Sequence, residues 1–166
     1  KSIDAAKEEE AAMAKVHAIV KTLKGSVELN TKATNDAALA AMKLGFDDED
    51  AAIAMAKLMQ VTKNTKMANE AFALSMDLAR FKGIDLSSAQ QAVTLAMGGN
   101  VRMLKQLGIE LPENATQQDV LRLAMEKVGG QAVAYGNTLA GAQDKAKVAF
   151  ENLQEEVGKI FLPMMT

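Results

Sequence analysis

The sequence predicts an all-α fold, an irregular multi-helix bundle of about seven to eight helices ending in a long amphipathic helix, with no β-sheet. Three observations carry this. Only Pro112 and Pro163 occur among 166 residues, so little interrupts helical stretches. The apolar 49% is mostly Ala, Leu, Val and Met, with aromatics at 4%, which suits closely packed helices better than a β-sandwich. Apolar residues recur at steps of three and four between glycines, and no stretch alternates with period two.

The elements follow in order. A first helix is expected from about Ile3 to Lys24, with Met13, Val16, Val20, Leu23 and Val27 on one apolar stripe. Gly25-Ser26 reads as a stop and a new N-cap. The second helix ends near Leu44-Gly45, where glycine suits the left-handed C′ position. Phe46-Asp47-Asp48-Glu49-Asp50 opens the third, its acids favoured by the helix dipole, with Ala51, Ala54, Met55 and Leu58 inward. A calcium loop would need spaced oxygen ligands around a central glycine, a pattern this run lacks.

After Thr62-Lys63-Asn64-Thr65, a fourth helix carries Met67, Ala71, Leu74, Leu78 and Phe81 on one face and closes at Lys82-Gly83. Ile84-Asp85 leads into a fifth, with Ala89, Ala92, Val93 and Ala96 inward and Gly98-Gly99 as terminator. Asn100 caps a short helix that Gly108 ends, and Ile109-Glu110-Leu111-Pro112 is an extended connector. Thr116 and Asp119 approximate a capping box for a helix that stops at Gly129-Gly130. The last and longest helix runs from near Thr138 to Leu162. Leu139, Ala146, Leu153 and Ile160 recur every seven residues, flanked by Phe150 and Val157, for about three heptads. Two regions result: a multi-helix domain over 1–137 and a long C-terminal amphipathic helix over 138–166. Without an initiator Met, and with Met164-Met165-Thr166 straight after a strong helix, the chain reads as a piece of something longer.

Few kinds of chemistry fit this composition. The 19 Lys and Arg against 21 Asp and Glu give a net charge of −2, which argues against a dedicated nucleic-acid binder. Arg80 to Lys105, the most basic stretch, reads as a solvated helix surface. Cysteine is absent and His17 is the one histidine, which excludes thiolate metal sites and Cys–His catalysis for this segment. His17 itself reads as a surface or boundary residue. Glu8-Glu9-Glu10 and Glu155-Glu156 sit in Lys-containing helical stretches, where solvated faces are expected. Neither glycine pair lies in the strand–loop–helix setting of a phosphate loop. Eleven methionines invite a binding-surface reading, but several, including Met13, Met55 and Met67, fall on predicted inward faces, which favours core filling. Tyr135 is placed to pack against the final helix. No catalytic residue, metal ligand or cofactor is expected.

Two stretches go beyond generic helix. One is Ala79-Arg80-Phe81-Lys82-Gly83-Ile84-Asp85-Leu86 followed by Gly98-Gly99-Asn100-Val101-Arg102-Met103-Leu104-Lys105-Gln106-Leu107-Gly108-Ile109. The other is Asn137-Thr138-Leu139-Ala140-Gly141-Ala142, then Phe150-Glu151-Asn152-Leu153, Glu155-Glu156-Val157-Gly158-Lys159 and Leu162-Pro163. In this order they resemble the pattern of tail tape-measure proteins of long-tailed bacteriophages and prophages. The Ala-rich run from Ala11 to Gly25 is similar to that family's helix before a glycine turn.

The resemblance implies a structural and assembly protein, without enzymatic activity, that occupies the tail tube lumen, sets tail length and is released during DNA ejection. The implied partners are the tail tube protein, tail assembly chaperones, tail-tip or baseplate proteins and other copies of the chain. The implied location is the virion tail, after synthesis in the bacterial cytoplasm. The candidate contact stripe is Leu139, Ala146, Phe150, Leu153, Val157 and Ile160. An alternative from another class is a membrane-active helical module that helps DNA pass the host inner membrane. Against it, the helix faces mix acids with lysines rather than collecting cations.

Overall fold

Tight glycine and Asx punctuation separates short to medium helices in the computed structural model, which describes residues 2–138 and 141–149. They are α1 (Ser2–Val20), α2 (Val27–Met42), α3 (Asp48–Thr62), α4 (Thr65–Lys82), α5 (Leu86–Met97), α6 (Arg102–Gln106), α7 (Gln117–Val128) and α8 (Gln131–Gly136). Residues 141–149 are also helical. The fold is all-helical, with no strand among the described residues.

Local chemistry sets the boundaries. Ser26, Asp47, Asn64, Asp85 and Thr116 each accept, through a side-chain oxygen, an amide N–H of the first turn that would otherwise lack a partner. Thr116 and Asp119 form the reciprocal capping box that their spacing predicts. At the other ends, Gly45 (φ +86°) and Gly83 (φ +65°) take the left-handed conformation. The next residue's amide then reaches back five positions, Phe46 to the Ala41 carbonyl and Ile84 to the Ala79 carbonyl, both at 3.0 Å. The same closure joins Asn100 to Leu95 and Ile109 to Leu104. A glycine, an apolar residue that folds inward and an acidic N-cap thus join α2 to α3 and α4 to α5 within a few residues.

Several expected boundaries shift. α1 stops at Val20 rather than Lys24, where the Thr22 hydroxyl donates to the Ile19 carbonyl and turns the chain. Asn100 accepts the Arg102 amide at 3.2 Å, although α6 has Val101 at its formal N-cap. α8 was not legible in sequence, because six residues are too few to display a period.

The core runs through α3 and α4. α3 packs on α1, α2, α4 and α5, while α4 packs on α3, α5, α7 and α8. Every residue from Leu74 to Ala79 is buried, so this stretch of α4 is enclosed on all sides. Alanines at 51, 52, 54 and 56 of α3, and at 89, 92 and 96 of α5, are buried as well. Their small side chains let these helix axes approach closely. Met55, Leu58, Leu74 and Leu78 fill the space between them with no exposed surface.

Three apolar residues are less buried than their spacing suggests. Met13 is 39% exposed because α1 buries a narrow seam at Ala12, Val16 and Val20. At 3.6 residues per turn Met13 lies about 60° round the axis from Val16, just off that seam. Val27 opens α2 from the surface at 42% exposure. Phe81 lies in the last turn of α4 with the Lys82 ammonium 5.5 Å from its ring centroid, and it remains 36% exposed.

Candidate contact site

The expected stripe is only partly within reach. Leu139, Phe150, Leu153, Val157 and Ile160 lie outside the described residues, and Ala146 is exposed on the 141–149 helix. What the structure shows instead is how that helix begins and what it touches. The Thr138 hydroxyl accepts the Gly141 amide at 3.0 Å and the Thr138 carbonyl accepts the Ala142 amide at 3.0 Å, opening the helix where the sequence places it.

The centre of the contact is Arg80, which the sequence reading put on a solvated surface. Its guanidinium lies between two aromatic rings, 4.1 Å from the Phe46 centroid and 4.0 Å from that of Tyr135, with its side chain only 18% exposed. Both faces of the cation are covered by ring quadrupoles, a stacking that the planar guanidinium suits better than an ammonium would. One terminal nitrogen also donates to the Gly45 carbonyl at 3.4 Å. Arg80 therefore ties α4 to the turn before α3 and to α8.

The carboxylate of Asp144 completes the cluster. It accepts a hydrogen bond from the Tyr135 hydroxyl at 2.8 Å and lies 3.8 Å from Arg80 Nη1. The hydrogen bond to Asp144 holds the Tyr135 proton and raises the phenol above its ordinary value, with lost hydration and the Asp144 charge adding to it and Arg80 opposing. Tyr135 thus packs against the final helix, as its position in the sequence suggests.

One turn earlier on α4, Asp77 grips the other end of α8. Its two carboxylate oxygens accept the Ala132 amide at 2.9 Å and the Gly130 amide at 3.2 Å. Asp77 is buried, and these are the donors that the start of a helix leaves unpaired. An acid and a base three residues apart on α4 therefore hold α8 at both ends. The signal for this was a charged aspartate between Met76 and Leu78 in a largely apolar run.

A second surface involves α1, α2 and the start of α3. A groove of about 300 Å³ runs where α1, α2 and α3 meet, and the exposed Met13 and Leu39 line it beside Asp48 and Glu49. Burial raises the Asp48 carboxyl above its ordinary value, and the charges of Asp47 and Glu9 push it the same way. In the acidic run, Asp47 caps α3 by accepting the Asp50 amide at 2.9 Å. His17 is exposed in the last turn of α1. Among the described residues no three His, Asp or Glu side chains gather in an arrangement able to hold a metal ion. No helix among them is long and apolar enough to cross a membrane.

Compared with protein-family models, with curated proteins and with solved structures, the chain matches none.

Proposed function

We propose that this chain is a helical segment of a bacteriophage tail tape-measure protein, with a structural and assembly role. The observation that carries the reading is the ordered set of residues from Lys82-Gly83-Ile84-Asp85, through Gly98-Gly99-Asn100 and Gly108-Ile109, to Thr138, Gly141 and Leu162-Pro163. Each is helix punctuation and common by itself. Their order, together with the Ala-rich run from Ala11 to Gly25, is what resembles the tail family. An all-helical fold with short, sharply capped elements is compatible with it, because filling a tube asks for helices and contact surfaces rather than for a catalytic constellation.

On this reading the chain lies in the tail lumen. Tube subunits polymerise around it, chaperones and tail-tip proteins meet it during assembly, and it departs ahead of the DNA. Apolar side chains left at the surface, Met13, Leu29 and Leu39 among them, supply contacts for such partners or for other copies. The direct test is location. Antibodies raised against the 2–138 bundle should detect the parent protein in purified tailed particles and lose it from particles that have ejected their DNA. Tailed particles lacking the protein before ejection would refute the assignment.

A further inference from the structure

We infer that the groove where α1, α2 and the start of α3 meet is a docking site for a basic amphipathic helix of a partner protein. α1 lines it with Glu9, Ala12, Met13 and Val16, and α2 with Asn35, Ala38, Leu39 and Met42. Both sets follow the i, i+3, i+4, i+7 spacing of a single helix face. Each face is two turns long, roughly 10 Å at ~1.5 Å per residue, which matches the reach of a short docked helix. Ala12, Ala38 and Ala52 are buried, and their short side chains leave the hollow that Met13 and Leu39 flank from the surface. At 58% exposure, Leu39 has much of its apolar surface still to bury.

Charge around the groove selects the occupant. Glu9, Asp48 and Glu49 are half-buried beside these apolar side chains, and no Lys, Arg or His is among the described residues that line it. Burial and the charges of Asp47 and Glu9 already oppose ionisation of Asp48. A lysine or arginine brought beside these carboxylates relieves that repulsion, while a leucine or isoleucine from the same helix face enters the hollow. The alternatives have the wrong charge. Two copies meeting groove to groove would set the carboxylates against one another. Residues 150–158 of the chain carry Glu151, Glu155 and Glu156 and no cation. The surface needed is therefore basic and belongs to another protein, whether or not the chain is part of a phage tail.

NMR titration of the whole chain with a synthetic helix tests this. The probe has about 14 residues, with leucines along one stripe and lysines beside them, and its control replaces each lysine with glutamate. The lysine peptide should shift resonances of α1, α2 and the first turn of α3, and the glutamate peptide should bind at least roughly tenfold more weakly. Leu39→Ser, at an exposed position, should weaken binding of the lysine peptide roughly tenfold. Asp48→Asn should weaken it roughly threefold. Leu29→Ser, at an exposed leucine outside the groove, should leave it unchanged. No binding of the lysine peptide, equal binding of the two peptides, or shifts centred on other helices would overturn the inference. A dimer of the chain alone at neutral pH that Leu39→Ser dissociates would make a second copy the occupant. Nuclear Overhauser contacts from Met13 or Leu39 to residues 150–166 would give the groove to the chain's own tail. Either result overturns the inference as well.

Discussion

Asp48 sits half-buried in the first turn of α3, close to Asp47 and Glu9, and its carboxyl is held above the ordinary value of 3.8. Ionising it therefore costs more in the folded chain than in the unfolded one. Its contribution to stability is fully present below pH 3.8 and is lost as pH rises through the raised folded value. Asp48→Asn should accordingly be more stable than the parent at pH 7, by roughly 0.5 kcal/mol given partial solvent screening. Thermal melts from pH 3 to 7 should show the two curves converging at the acid end. Asp85 and Asp119 have the opposite sign, because hydrogen bonds from Ser88 and Thr116 lower them. At this scale the caps were legible, since an Asx or Thr side chain and the amide it accepts lie within one turn. Lys63 was not: it closes α3 at φ +56° without being glycine, a conformation set by the single-residue step to the Asn64 cap. Arg80 was equally hidden, because Phe46 and Tyr135 come to it from distant points in the sequence.

Among the elements, α4 depends most on partners far away in the chain. Periodicity exposed its inward Ala71, Leu74 and Leu78, which are fully buried. It missed that the helix is enclosed on every side over residues 74–79, because the enclosing α7 and α8 arrive much later. Asp77 is the polar consequence of that enclosure. Asp77→Asn retains one acceptor oxygen but turns an NH₂ group towards an amide donor, leaving a buried N–H unpaired. The expected cost is about 1–3 kcal/mol in urea denaturation. It should be accompanied by faster exchange at Gly130 and Ala132, and α1 to α3 should be little affected. A variant as stable as the parent would mean that α8 is held by its apolar contacts alone.

At the scale of the whole molecule, the all-helical fold followed from features that composition displays directly: scarce proline, abundant alanine and glycine between apolar runs. The contact surface did not, because it is assembled from the Phe46 turn, the end of α4, α8 and Asp144. Of the stripe expected on the final helix, Ala146 alone falls within the described residues, and it is exposed. The compact bundle is one arrangement of helices that, laid end to end, would advance ~1.5 Å per residue. A tail ruler needs that second arrangement, in which length rather than shape carries the information.

Tail length in a phage whose tail protein carries this chain, as proposed, tests the reading most directly. Residues 84–128 would be deleted in frame, and in a second strain duplicated, and tails measured by electron microscopy. If this chain is part of the ruler, tails should shorten by roughly 70 Å with the deletion and lengthen by as much with the duplication, at ~1.5 Å per residue. Infectious particles with unchanged tails in both strains would contradict the account.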